Sequence, residues 1–270
     1  MVPEKGAQKL NQVRPAKARE SAQVRFPDGA TYEGPHGTPL CDYIHVAFPQ
    51  PEAPIVGAIV DGELADPACC VTRDLTCRPI DTSTNDGNRV YQRSVSFLLV
   101  VATHELFPEA RVIIDHSVTL GGFYCRIEGR GSFARSDIQA IERHMREIVT
   151  ADEPIGKRRV PVDTAIRVFS SQGYDDKVRL LRFREEEEIV VYELRGLQDY
   201  FYGFMTPDTG CLRWFALEPY PPGFILRLPR RTSPTSLPET RDYPKLMGVF
   251  RATDRWLKIL SIEDMGALDE

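Results

Sequence analysis

No stretch of this 270-residue chain is long and apolar enough to cross a bilayer as a helix. The longest uninterrupted apolar run, Phe97 to Ala102, has six residues; a membrane span needs roughly 20. The N-terminus has no apolar signal core, so a cytoplasmic location is the expectation. An excess of cations is also missing. There are 34 Lys and Arg against 39 Asp and Glu, a net charge of −5. A broad nucleic-acid footprint needs many clustered cations, so at most a local basic patch stays open. Gly (19) and Pro (21) are too few for collagen or wide disorder. None of the six cysteines forms Cys-x-x-Cys, and adjacent Cys69-Cys70 does not suit a zinc knuckle. Reduced structural thiols are expected.

Several catalytic engines are absent. A phosphate-binding loop needs Gly-x4-Gly-Lys-Ser/Thr, so that backbone amides wrap the phosphates. The one Gly-Lys, Gly156-Lys157, is followed by Arg158, and Ala151 stands where the first Gly should be. There is no Gly-x-Ser-x-Gly elbow and no His-Glu-x-x-His helix. The five histidines, His36, His45, His104, His116 and His144, never fall three or four apart. No single helix therefore presents a His pair to a metal. His116 stands out, because Asp115-His116-Ser117 lies at a strand-to-loop transition before Gly121-Gly122, where an imidazole can meet a ligand.

What is present reads as an α+β protein. Residues 1–20 carry five basic and two acidic side chains without apolar periodicity, and read as a disordered arm. Residues 21–84 read as a β-rich unit. Val24-Arg25-Phe26 enters the turn Pro27-Asp28-Gly29, and Ala30-Thr31-Tyr32 returns. Thr38 is expected as N-cap of a helix whose inward face is Leu40, Tyr43, Ile44, Ala47 and Phe48. Ile55–Val60 and Glu63–Ala65 form a hairpin about Asp61-Gly62. The order ββαββ fits a ubiquitin-like β-grasp. The turn-rich 81–87 then marks a boundary.

Residues 85–230 begin with a long helix carrying Val90, Ser94, Phe97, Leu98 and Val101, stopped by Pro108. Strands follow at 112–114 and 123–127. Ser136 to Gln139 reads as a capping box for a helix with Ile138, Ile141, Met145, Ile148 and Val149 inward. A shorter helix ends at Gly173, and strands are expected at 178–183, 189–194, 212–215 and 224–228. The Glu185–Glu188 run reads as a solvated loop. Residues 231–270 give a proline-rich linker or draped loop and an amphipathic helix with Leu246, Val249, Phe250, Trp256, Leu257 and Leu260 on one stripe.

Arg25-Phe26-Pro27-Asp28-Gly29 within the β-grasp pattern resembles the TGS domain. Leu98-Leu99…Leu106-Phe107-Pro108, Gly122-Phe123-Tyr124 and Gly203 to Gly210 make residues 85–228 resemble the second additional domain of threonyl-tRNA synthetase, shared with alanyl-tRNA editing proteins. Asp86 to Ser94, Asp115-His116-Ser117, Asp199 to Gly203 and Trp256 to Leu260 are together similar to the N-terminal half of long bacterial uridine (nucleoside) kinases. There a TGS domain and a synthetase-like domain precede a P-loop kinase. The chain ends near where that family continues toward its P-loop, so a fragment, a truncated frame or a split partner is expected.

The resemblance implies a degenerate editing site. The editing enzymes place His-x3-His on the first long helix and Cys-x3-His before a Pro. The matching positions here are Arg93 and Phe97, then Phe201 and Met205. Phe97, Phe201 and Met205 would fill the cleft with apolar volume, leaving no group to activate water and no cofactor or metal in this chain. The leading expectation is a non-catalytic, regulatory or ligand-binding region of a uridine-kinase-like protein, with a P-loop kinase domain as partner in cis or trans. The alternative is a stand-alone TGS-type RNA- or tRNA-binding module, favoured by the basic arm and by Arg227, Arg230 and Arg231. Arg93, His116, Asp199, Tyr200 and Tyr202 are the candidate binders of a small anionic ligand or nucleotide. In the competing arrangement Arg93 pairs with Asp199 and the tyrosines fill core.

Overall fold

The computed structural model describes residues 18–239 apart from 119, 120, 132 and 185, and beyond them residue 248. The expected C-terminal helix and most of the basic arm lie outside the described residues.

Strands β1 (Ser21–Arg25) and β2 (Thr31–Pro35) pair antiparallel around the turn. Phe26 N–H donates to the Ala30 carbonyl at 2.9 Å, and Asp28 Oδ1 accepts from Ala30 N–H at 2.9 Å. Gly29 takes φ +87°, a left-handed value that costs a Cβ-bearing residue energy. After β3 (Thr38–Pro39) comes α1 (Leu40–Ala47), then β4 (Ile55–Val60), β5 (Glu63–Ala65), β6 (Cys70–Val71) and β7 (Leu75–Asp81). The sheet runs β2-β1-β7-β4-β5, with β1 and β7 parallel. Val24, Phe26, Leu40, Tyr43, Ile44, Ala58 and Cys77 fill the core between sheet and α1. This is the expected β-grasp, with two corrections. Thr38 is not the N-cap; its hydroxyl donates to the Pro35 carbonyl at 2.8 Å and Pro39 occupies the cap. Strand β7, at the middle of the sheet, escaped the sequence pattern because Pro79 interrupts it. The proline is tolerated because β7 pairs with β1 only through Leu75 and Thr76.

Helix α2 (Asn85–Leu106) starts directly after β7. Thr84 Oγ1 accepts from Gly87 N–H at 3.1 Å and donates to the Asp81 carbonyl at 2.8 Å, so the connection is a tight cap. There follow β8 (Arg111–Ser117), β9 (Gly122–Glu128), α3 (Arg135–Ala151), β10 (Gly156–Pro161), α4 (Val162–Ser171), α5 (Asp175–Arg182), β11 (Glu188–Leu194), β12 (Leu197–Tyr200), β13 (Ala216–Tyr220) and β14 (Gly223–Arg227). They build an antiparallel sheet β13-β14-β9-β8 and a sheet β10-β11-β12. The largest core gathers α2, α3 and both sheets, and Val56 of β4 joins it. A smaller core holds Phe169, Tyr174, Val178, Leu181 and Val191 under α4 and α5.

Three expectations need correction here. Residues 178–183 are mostly helix α5, signalled by Asp175 and Asp176 in its first turn, where the helix dipole favours anions. Leu212–Phe215 is not a strand; β13 starts at Ala216. The α3 cap is Ala134, whose N–H donates to Asp137 Oδ2 at 3.0 Å, rather than Ser136 with Gln139. Strands β10 and β12 had no reading in the sequence pattern. Residues 229–239 drape over the surface, tied by Arg227 donating to the Pro238 carbonyl. The architecture is a β-grasp domain followed by an α+β domain.

Candidate functional site

Helix α2 faces the segment 201–206, and the four positions singled out by the resemblance converge there. Phe97 is fully buried and meets the Phe201 ring edge-on, with centroids 5.6 Å apart at 62°. Met205 is buried in the same core. Arg93 donates to the Phe204 carbonyl. Its guanidinium lies so close to Gly203 (φ +105°) that a Cβ there would come within 2.9 Å. Burial depresses the Arg93 guanidinium, and Arg89 adds to the effect. Two further bonds fix the backbone of this segment. Ser94 Oγ accepts from Thr206 N–H at 2.9 Å, and Tyr192 Oη donates to the Gly203 carbonyl at 2.9 Å. An arginine, two phenylalanines and a methionine offer no general base and no strong metal-ligand set. Among the described residues, no three His, Cys, Asp or Glu side chains gather into a cluster fit for a metal.

The candidate binding residues are divided among other partners. Asp199 is 2% exposed and forms an ion pair with Lys177; it also accepts from Tyr200 N–H at 2.6 Å. Burial raises the Asp199 carboxyl, and Lys177 opposes that rise. The pairing of Arg93 with Asp199 is thereby replaced by Lys177–Asp199. Lys177 Nζ also sits 4.5 Å from the Tyr174 ring centroid and 5.9 Å from that of Phe201. Tyr200 Oη accepts from Arg184 at 2.7 Å, and the guanidinium lies over its ring. Tyr202 is 83% exposed. His116 belongs to the other sheet, where Nδ1 faces Asp115 at 3.4 Å and the ring lies against Tyr124 at 5.3 Å. So the structure brings Arg93, Phe97, Phe201 and Met205 together, with Asp199 and Tyr200 on the adjoining strand and His116 elsewhere.

Sequence reasoning gave no site role to Lys177, Ser94 or Tyr192. Lys177 was hidden by reading its helix as a strand. The acidic pair before it is the signal that finds it.

A second concave feature lies between the two units. A cavity of about 1180 Å³ is walled by α1 and the loop after it on one side, and by the end of α3 with residues 207–215 on the other. His45, Phe48, Arg146, Arg213 and Trp214 line it.

No family model matches the chain. Curated relatives do. Over 195 residues, 72% of this chain, it is 30% identical to the threonine–tRNA ligase of Burkholderia lata, 31% to that of Burkholderia ambifaria and 29% to that of Paraburkholderia xenovorans. The chain spans 31% of the length of each of these relatives. Among the described residues no helix is long and apolar enough to cross a membrane. The chain is thus similar, over nearly three quarters of its length, to threonine–tRNA ligases, and carries a threonyl-tRNA-synthetase-like region built on a β-grasp and an editing-like fold.

Proposed function

We propose that this chain is an RNA-binding module of TGS type, related to threonyl-tRNA synthetase, that holds tRNA without hydrolysing an aminoacyl bond. Two folded units, 21–84 and 85–230, act together in it. The observation that carries the reading is the edge-on Phe97–Phe201 contact, with Met205 in the same core and Arg93 bonded to the Phe204 carbonyl. These side chains occupy the positions at which the resemblance requires hydrolytic groups. The similarity to threonine–tRNA ligases favours RNA as the partner. The acidic total of the chain limits the interaction to a local surface.

The test is anisotropy of a labelled tRNA at two salt concentrations, beside a deacylation assay with mischarged tRNA. Binding that weakens steeply with salt, with hydrolysis at the buffer rate, supports the reading. Absence of binding at low salt, or hydrolysis above background, overturns it. A second reading keeps the same non-catalytic fold as the auxiliary region of a nucleoside kinase, with a P-loop domain in cis or trans in the cytoplasm. The order of the four kinase-like sequence segments favours it. A kinase reading frame directly downstream would support it.

A further inference from the structure

The groove between the β-grasp and the second unit is built differently from the filled cleft. Its second wall is preorganised by a buried residue. Tyr91 of α2, 1% exposed, uses its hydroxyl to accept from Trp214 N–H at 2.8 Å and to donate to the Trp214 carbonyl at 3.1 Å. One phenol therefore fixes the backbone of Trp214 from both sides and sets where the indole stands. Beside it, Phe215 is buried with the Arg146 guanidinium 4.7 Å above its ring, and Arg146 donates to the Phe215 carbonyl at 2.9 Å. Arg213 is exposed; its Nε donates to the Gly210 carbonyl at 2.9 Å. That bond anchors the stem and leaves both Nη groups without a hydrogen-bond or ion-pair partner among the described residues. The facing wall offers exposed His45 and half-buried Phe48, whose ring is braced edge-on by Phe26 at 5.4 Å.

Two carboxylates also line the groove. Asp152 Oδ1 accepts from Gly210 N–H at 2.9 Å. Burial, reinforced by the charge of Asp152, raises the Asp208 carboxyl above its ordinary range. Arg146 and Arg213 line the groove alongside these two carboxylates.

Fixed aromatic faces next to unpaired guanidinium donors match a base followed by a phosphate. The cavity exceeds the roughly 300–1,000 Å³ of a usual small-molecule site, which favours a strand over one nucleotide. We propose that this groove binds a short single-stranded segment of RNA, with one base stacked on Trp214 and an adjacent phosphate held by Arg213. The proposal rests on the RNA-binding reading above and adds to it the site and the strandedness.

The test is anisotropy of a labelled 12-nucleotide oligouridylate and, separately, of a labelled tRNA, using the full chain. The variants are Trp214→Ala, Trp214→Phe, Arg213→Gln and, as a charge control outside the groove, Arg158→Gln. The expected result is at least a tenfold loss for the oligonucleotide with Trp214→Ala and Arg213→Gln. Trp214→Phe and Arg158→Gln should stay within about threefold. Arg213→Gln should also reduce the slope of log affinity against log salt by about 0.7, one single-strand phosphate contact. Equal oligonucleotide binding by wild type and both groove variants overturns the groove while sparing the RNA reading. tRNA binding without oligonucleotide binding does the same. Loss of both RNAs from the wild type overturns the reading and the groove together. Uridine monophosphate quenching Trp214 in a Trp256→Phe background, with no oligonucleotide bound, overturns the strand assignment.

Discussion

Two places along the same stretch of chain, residues 201–215, have opposite fates. At its start, Phe97 and Phe201 meet ring to ring in the core that also holds Met205, and Arg93 is spent on a backbone carbonyl. At its end, Trp214 is half-buried and held by its backbone, Arg213 is exposed and held by its stem, and both line the groove. The first place has interior packing, where each methylene contributes to stability. The second has fixed polar and aromatic groups lining an open groove, where truncation is expected to be felt in binding instead. Under the proposed function, the difference separates residues that keep the fold from residues that would meet RNA.

Mutations sharpen that contrast. Phe97→Ala should have the largest effect, lowering unfolding free energy by about 3–5 kcal/mol in a urea titration, because it opens a cavity beneath Phe201. A loss under about 1 kcal/mol would mean the cleft is not packed. Lys177→Met comes next. It leaves the buried Asp199 carboxylate without its cation, at a cost of about 3 kcal/mol. Adding Asp199→Leu should recover much of that loss; failure to recover would show that the pair is not the source. Gly203→Ala should cost about 1–3 kcal/mol, since it combines a strained φ with a clash against the Arg93 guanidinium. In contrast, Trp214→Ala and Arg213→Gln should each stay within about 1 kcal/mol of wild type in stability. A large loss at either would make the groove wall structural.

The smallest expected effect is the pH response of the latch between α2 and α3. His144 Nε2 lies 2.6 Å from Glu105 and Nδ1 lies 2.9 Å from Glu147, while Arg195 bridges Glu105 and Glu153. Burial lowers the imidazole, but its bonds to Glu147 and Glu105 outweigh that and hold it above its usual value. A raised folded value means the contribution is complete below about pH 6.5, the unfolded range, and fades as pH climbs through the folded value. His144→Gln should flatten the stability profile there by less than about 1 kcal/mol, because the network is partly exposed. An unchanged profile would remove His144 from the latch.

How far the sequence carried the fold depends on what sets each element. The hairpin at Pro27-Asp28-Gly29, α2 and the inward face of α3 follow local turn chemistry and period, so they were legible. Strand β7 was not, because its place at the middle of the sheet comes from pairing with β1 and β4, residues distant in sequence. Helix α5 was misread because Val178 to Phe183 is short and mixes apolar with basic residues, so the acidic first turn was outweighed. The convergence of Arg93, Phe97, Phe201 and Met205 was legible through the resemblance. Their partners were not: that Asp199 meets Lys177, and Arg93 a carbonyl, is decided by tertiary packing. The groove was illegible for the same reason, since its walls come from α1 and from residues about 100 or more positions later.

The most direct measurement is equilibrium binding of a labelled tRNA to the purified chain at 50 and 200 mM salt (about a fourfold step). The account predicts binding at the lower salt and a loss of roughly tenfold or more at the higher, as a locally cationic surface gives up phosphate contacts. Absence of binding at the lower salt, or affinity indifferent to salt, would contradict it.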